Sequence, residues 1–411
     1  GLFNDPLECW DTSQVTNMEN MFQKAPSFNQ SIGKWDTSLV TSMHFMFCGP
    51  SIFEFDQYID GSSSSFNQSL DEWNTSQVTN MASMFQKATS FDQSIDEWNT
   101  SKVTNMASMF NGAFSFNQSL DRWNTSQVTN MAFMFKDSSL NQSIDEWNTS
   151  KVTDMASMFQ QAFSFNQSLD EWNTSQVTDM ASMFQKAVSF NQSFDQWNTS
   201  QVTNMASMFR EASSFNQSLD QWNTSQVKNM ASMFIAAASF DQSIVKWNTS
   251  LVTNMANMFD SATSFNQSIG EWNTSQVKDM YSMFYLARSF NQSLDGWNTS
   301  QVKDMKNMFQ GASSFNGSIV EWNTSQVKDM KSMFRVAFPF NQSIDGWNTS
   351  KVKTMAKMFI GASSFNQCLS TWAGKTSNTV DTNRMFSTSD CPEQNDPDPT
   401  LGPWCQNFKQ G

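Results

Sequence analysis

Tryptophan recurs every 25 residues along almost the whole of this 411-residue chain. A fixed period of that length dictates a fold in which one small unit stacks on copies of itself. Fifteen tryptophans set the frame, at Trp10, Trp35, Trp73, Trp98, Trp123, Trp147, Trp172, Trp197, Trp222, Trp247, Trp272, Trp297, Trp322, Trp347 and Trp372. Around each runs the same string, F-N-Q-S-L-D-x-W-N-T-S-x-V-T-x-M-x-x-M-F-x-x-A-x-S. The register breaks twice before the end: thirteen extra residues enter between Trp35 and Trp73, from Cys48 to Ser65, and one residue is missing between Trp123 and Trp147, where Leu140 stands in for Phe. A stack of coils absorbs such changes as a bulging loop or a tightened corner.

Composition agrees with that plan. All 29 methionines keep the repeat frame, as fourteen Met-x-x-Met pairs such as Met81 and Met84, plus Met385 in a degenerate last coil. Phe follows the second Met every time, as in Phe22, Phe85, Phe184 and Phe359. A residue type confined to two phases of a repeat is stacked on itself, and Met with Phe is core filling in such a stack. A single coil cannot bury its Trp, Phe and Met alone, so stacking supplies the second layer and the core is one column.

The spacing L-x-x-W-x-T matches the strand of leucine-rich repeats, which places one short parallel strand per coil around Trp-Asn-Thr. Val78, Met81, Met84, Phe85 and Ala88 then fall at intervals of 3, 3, 1 and 3, which predicts a short helix or 3₁₀ turn, with Ser76 as its cap. The expected fold is therefore a repeat solenoid of about fifteen coils over residues 1–372, leucine-rich-repeat-like, with an insertion near 48–65. Strands about 4.8 Å apart would make it a rod of roughly 70 Å. Residues 373–411 form a degenerate coil and a C-terminal cap. Phe3, Asn4, Leu7 and Trp10 already obey the repeat, so the chain starts inside its first coil, as it would after removal of a leader.

The 24 Lys and Arg against 38 Asp and Glu give a formal net charge of −14, which speaks against a nucleic-acid partner. No apolar run is long enough for a membrane span. Among five cysteines, Cys391 and Cys405 in the Pro- and Asp-rich tail are the candidate disulfide, and Cys9, Cys48 and Cys368 remain, an odd number that allows a thiol or an intermolecular link. An open stack end at the first coil favours self-association, head-to-tail or lateral.

Two rows of N-x-S/T acceptors recur as glycosylation candidates. Trp-Asn-Thr-Ser supplies Asn74, Asn99, Asn124, Asn148, Asn173, Asn198, Asn223, Asn248, Asn273, Asn298, Asn323 and Asn348. Phe-Asn-Gln-Ser and its variants supply Asn29, Asn67, Asn117, Asn141, Asn166, Asn191, Asn216, Asn266, Asn291, Asn316 and Asn341. Glycans on every site of a row about 4.8 Å apart would collide. The competing reading is an Asn ladder bonded coil to coil, favoured for the Phe-Asn-Gln-Ser row because it sits at a corner where backbone groups need partners.

A third row is acidic: Asp71, Asp96, Asp121, Asp145, Asp170, Asp195 and Asp220 stand two residues before Trp. Such a row is a solvated acidic face or a weak candidate for calcium, which takes oxygen ligands. Val245, Gly270 and Val320 interrupt it. Later coils change Val-Thr to Val-Lys, at Lys228, Lys278, Lys303, Lys328 and Lys353, so the two ends differ electrostatically. His44 is the single histidine, and no phosphate loop, Cys-x-x-Cys or His-rich site occurs. Uniform repetition makes a surface, whereas catalysis needs one singular place, so the expectation is no enzyme, no catalytic residues and no cofactor.

Phe91 to Phe110, F-D-Q-S-I-D-E-W-N-T-S-K-V-T-N-M-A-S-M-F, resembles the repeats of BspA-like surface proteins, a leucine-rich-like group, and the resemblance covers residues 3 to 370. It implies a right-handed coil on a secreted or cell-surface protein with a role in adhesion or display. The expected function is a non-enzymatic extracellular structural protein, glycosylated in part, that builds a fibre or surface layer. The alternative is an adhesin or binding module taking a glycan, a host surface, other surface proteins or ice through its repeated face. An ice plane would draw on the Thr12, Thr37, Thr75 and Thr100 row, whose phase points into the coil.

Overall fold

The structure is a computed structural model and describes residues 3–50 and 64–405. The insertion at 48–65 therefore falls almost wholly outside the described residues. The chain divides into two compact units, Gly1–Val202 and Thr203–Gly411. Each is a succession of 25-residue coils in parallel register.

The pairing runs through the x of Val-Thr-x-Met. In the first unit, parallel bridges link Asn17, Ser42, Asn80, Asn105, Asn130, Asp154 and Asp179 in order; in the second they run from Asn204 and Asn229 through Asp304 to Asp381. This corrects the strand expected at Trp-Asn-Thr. There the Trp98 N–H is used by Ile95 O (3.2 Å) and the Val103 N–H by Thr100 O (2.9 Å), so two tight turns consume the donors that a strand would need.

No helix forms in the described part of any coil, and the expected short helix or 3₁₀ turn is replaced by a train of turns. Alternate N–H groups leave the coil: Met106, Ser108, Phe110 and Gly112 donate to the carbonyls of Asn130, Ala132, Met134 and Lys136, at 2.8–3.1 Å. The groups between them, on Met109, Asn111 and Ala113, close onto the third residue before. Ser108 and Gly112 take positive φ, 58° and 75°, at the third position of their turns, as type II turns require. An α-helix needs every N–H for its own i−4 carbonyl, so one alternating inward and outward bonds cannot be helical. Turns chained in this way reproduce the 3, 3, 1, 3 spacing of buried side chains.

Most coils place a non-glycine residue at the second positive-φ corner, for instance Lys87, Leu286 and Val336. Where glycine does occur there, the preceding coil leaves no room for more. A Cβ on Gly112 would meet Lys87 Cγ at 3.3 Å, one on Gly311 would meet Leu286 Cδ2 at 2.5 Å, and one on Gly361 would meet Val336 Cγ1 at 3.0 Å. At these three corners a bulky residue is followed by a bare one.

Three aromatic columns fill the core. Phe85 lies 5.7 Å from Phe110 in the next coil and 4.0 Å from Phe91 in its own, while Trp73 and Trp98 stack at 6.2 Å. From Met43 and Met46 onward the Met pairs are wholly buried beside them, while Met21 in the first coil is 36% exposed. The indole N–H bonds across the stack in coil after coil, as when Trp98 Nε1 donates to Leu70 O (3.0 Å). That bond lets a large ring be buried without an unpaired donor.

The degenerate coil keeps the ladder: Phe359 N donates to Met385 O (2.9 Å), and Phe359 and Phe386 stack at 5.6 Å. The tail then folds over it. Trp404 pairs antiparallel with Leu369, meets Trp372 edge-on at 6.1 Å, and is followed by Cys405, which is bonded to Cys391. Cys9, Cys48 and Cys368 form no disulfide among the described residues.

Candidate surface columns

Stacking turns every polar position of the repeat into a column, and the columns divide by what their side chains are already bonded to. The Trp-Asn-Thr-Ser asparagines, Asn74 through Asn348, are exposed in all twelve coils. Their Oδ1 atoms accept the N–H two residues on, as Asn99 does from Ser101 (3.1 Å) and Asn273 from Ser275 (3.1 Å). These are local Asx turns, and nothing in them spans coils.

The Phe-Asn-Gln-Ser asparagines behave differently. Asn67 Oδ1 accepts both the Asp92 N–H and the Gln93 side-chain amide of the next coil, each at 3.0 Å. Asn141 does the same for Asn166 and Gln167, and Asn266 for Asn291 and Gln292. Asp92 and Asp241 replace Asn and accept the same bonds, so the position requires an acceptor oxygen and has no need of the amide nitrogen. This column is a structural ladder, half-buried at Asn29, Asn67, Asn166 and Asn216 and more open at Asn117, Asn291 and Asn316.

The acidic row is put to structural use as well. Asp96, Asp145 and Asp170 accept backbone N–H groups from Arg122, Glu171 and Gln196 one coil on (3.0–3.2 Å), which pins the residue before each next Trp. The Asp71 carboxylate accepts from the Ser69 hydroxyl, the Asp121 backbone N–H donates to Ser119 Oγ, and Asp220 lies 3.7 Å from Lys246. Asp195 is exposed. Among the described residues no three Asp, Glu, His or Cys side chains converge as a metal would need, so the calcium row gains no geometry.

The Thr12, Thr37, Thr75 and Thr100 row is buried, with Thr75 Oγ1 donating to Asn99 O (3.1 Å). It presents no plane to solvent. The exposed threonines stand four positions later, at Thr79, Thr104, Thr129 and Thr153, each with its hydroxyl on the preceding coil's carbonyl (3.2 Å). Lysine takes the same position of the repeat in the second unit, at Lys228, Lys278, Lys303, Lys328 and Lys353. The sequence shows the change of charge, but a strand placed at Trp-Asn-Thr hides that this position faces outward.

Beside those lysines stands an inward acidic column, Asp279, Asp304 and Asp329. Asp304 Oδ1 accepts the Lys306 N–H at 2.9 Å. Burial, reinforced by the flanking Asp329 and Asp279 carboxylates, pushes the Asp304 carboxyl above the usual range, against the pull of that hydrogen bond. Asn fills the same position in Asn229 and Asn254.

A cavity of ≈ 550 Å³ lies in the C-terminal cap, between Phe386, Pro392, Asp396, Asp398, Leu401 and Trp404. His44 packs against Phe45, their rings 4.1 Å apart. No helix of the described residues is long and apolar enough to cross a membrane.

Two solved structures bear some likeness to the chain. A TLR13–ssRNA13 complex is 9% identical, with a TM-score of 0.27, covering 85% of this chain and 48% of that one. An internalin (inlF) from Listeria monocytogenes is 10% identical, with a TM-score of 0.24, covering 74% and 73%. The chain thus spans about half the length of the first, and at such scores the architecture rests on the coil geometry alone. No curated protein matches the sequence. Successive segments 1–61, 54–145, 137–237, 217–313 and 290–397 each match one family, and the chain belongs to it: the family described as "Mycoplasma protein of unknown function, DUF285".

Proposed function

We propose that the chain is a non-enzymatic, secreted or cell-surface repeat protein, glycosylated on its Trp-Asn-Thr-Ser column, that builds a fibre or surface layer. The observation that carries this is the contrast between the two sequon columns. One is spent on coil-to-coil bonding, whereas the other is exposed in all twelve coils and its side chains accept from the N–H two residues on, within their own turn. The resemblance to BspA-like surface repeats supports the same location. Polar groups repeat evenly along the coils, which suits a scaffold better than a reaction centre.

Contacts between copies run through the flanks of the coils. Phe114 and Phe163, 58% and 52% exposed, occupy one phase of the first unit and offer an apolar flank. The test is sedimentation and electron microscopy of protein secreted by a glycosylating host. Assemblies that dissociate on F114S/F163S substitution, with glycopeptides at Asn74-type sites, support the reading. Monomers throughout the micromolar range, with every asparagine bare, defeat it.

A further inference from the structure

The second unit exposes a charged column that neither assembly nor glycosylation uses. Lys278, Lys303, Lys328 and Lys353 lie in four consecutive coils, all exposed. Their backbones are locked together: the N–H groups of Lys303, Lys328 and Lys353 donate to the carbonyl of the lysine one coil before, at 3.1, 2.9 and 2.8 Å. The side chains therefore leave a parallel ladder about 4.8 Å apart. Among the described residues none of the four ammonium groups makes an ion pair, although the chain as a whole is acidic.

The nearest carboxylates in sequence, on Asp279, Asp304 and Asp329, turn back to accept the N–H groups of Tyr281, Lys306 and Lys331 at 2.8–2.9 Å. They are half-buried and occupied. Charge is also partitioned between the units: the first holds 8 Lys and Arg against 22 Asp and Glu, the second 16 against 16. All of the net −14 thus resides in the first unit, and the lysine column belongs to the neutral one.

We propose that this column binds a linear acidic polysaccharide, laid along the stack so that successive anionic sugar residues meet successive lysines. A single file of cations at one-coil spacing suits a narrow chain bearing a carboxylate or sulfate on each sugar unit. It is too narrow to span a nucleic-acid duplex, and none of the exposed aromatic rings belongs to this column to stack bases. The Gln276, Gln301 and Gln326 positions, two residues before the lysines, add amide hydrogen-bond partners for hydroxyl groups. The proposal does not depend on how copies of the chain assemble.

The experiment titrates the full chain with polygalacturonate oligomers, heparin oligomers, neutral dextran and single-stranded DNA at low and moderate salt. Oligomers that reach four lysines bind, affinity falls steeply with salt, and K303E/K328E weakens it at least about tenfold, while charge reversal at the first unit's exposed Lys102 and Lys151 leaves it unchanged. Stronger binding of polygalacturonate than of heparin assigns the anion as carboxylate; the reverse assigns it as sulfate. The proposal is overturned if neither acidic polymer binds, if dextran binds equally, if K303E/K328E binds as the parent does, or if DNA binds more tightly than both.

Discussion

Two threonine columns four residues apart in the same coil provide a controlled comparison, since Thr→Val changes each by the same atoms. Thr75 is 1% exposed, and its hydroxyl donates to Asn99 O at 3.1 Å, a carbonyl that receives no backbone N–H. In T75V that acceptor loses its protein donor, at about 1–3 kcal/mol, while burying one more methyl returns roughly 0.8 kcal/mol. The net expectation is a loss of up to about 2 kcal/mol, centred near 1 kcal/mol. Thr79 is exposed, and the Thr41 carbonyl that takes its hydroxyl at 3.2 Å also takes its N–H at 2.8 Å. T79V therefore leaves that carbonyl bonded and falls within about 0.5 kcal/mol of the parent. Urea unfolding of the full chain reads the difference as a shift in midpoint at unchanged slope. A T75V protein as stable as T79V, or more so, would refute the view that the buried threonine column joins the coils.

Four further outcomes follow from the same geometry. Gly311→Ala, at φ +72° with Leu286 Cδ2 in the way, costs about 1–2 kcal/mol in thermal unfolding, whereas Gly346→Ala, with nothing within 4 Å, is neutral. Asp304 has a raised carboxyl in the folded chain, so its contribution is favourable below the ordinary Asp range and is lost as pH rises through the raised value. D304N, which copies the asparagine of other coils, should therefore be more stable than the parent at neutral pH, with the gain closing as pH falls through the carboxylate range; chemical denaturation across pH checks this. Reduction of Cys391–Cys405, which closes a separation of 14 residues, removes about 3 kcal/mol from the cap, and limited proteolysis should then cut the tail while the inner coils stay protected. Glycopeptide mapping should find sugars at Asn74-type sites, skipping some coils, and none at Asn67, Asn166 or Asn216; full occupancy of those three would contradict the ladder.

The period was legible because Trp, Met and Phe must lie above their own copies to be buried, and burial leaves a chemical record in the sequence. The C-terminal coil could be followed past Trp372 for the same reason, through Met385 and Phe386. Backbone bonding leaves a weaker record. Val78, Met81, Met84, Phe85 and Ala88 keep one spacing whether the N–H groups point along a helix or to the next coil, so side-chain periodicity could not separate the two. The signal that could have done so was the corner chemistry: Ser or Asn recurring at Ser83, Ser108 and Asn257, and Gly at Gly112, Gly311 and Gly361, mark positive φ and exclude a helix. A strand placed at Trp-Asn-Thr hides that Thr79 and Lys278 hold the same exposed position of the repeat, so the Thr-to-Lys change registers only as a difference in charge between the two ends. The use of the acidic row left no sign in the sequence, since a carboxylate that pins a backbone N–H resembles a metal ligand until its partner is seen.

The columns face outward together only because the Val-Thr-x-Met-x-x-Met-Phe stretch binds coil to coil in place of forming a helix. Far-ultraviolet circular dichroism of the full chain tests this most directly. The turn ladder predicts a spectrum without helical minima, whereas two helical turns in each coil would contribute roughly 7 helical residues per repeat and a strong helical signal, which would contradict the account.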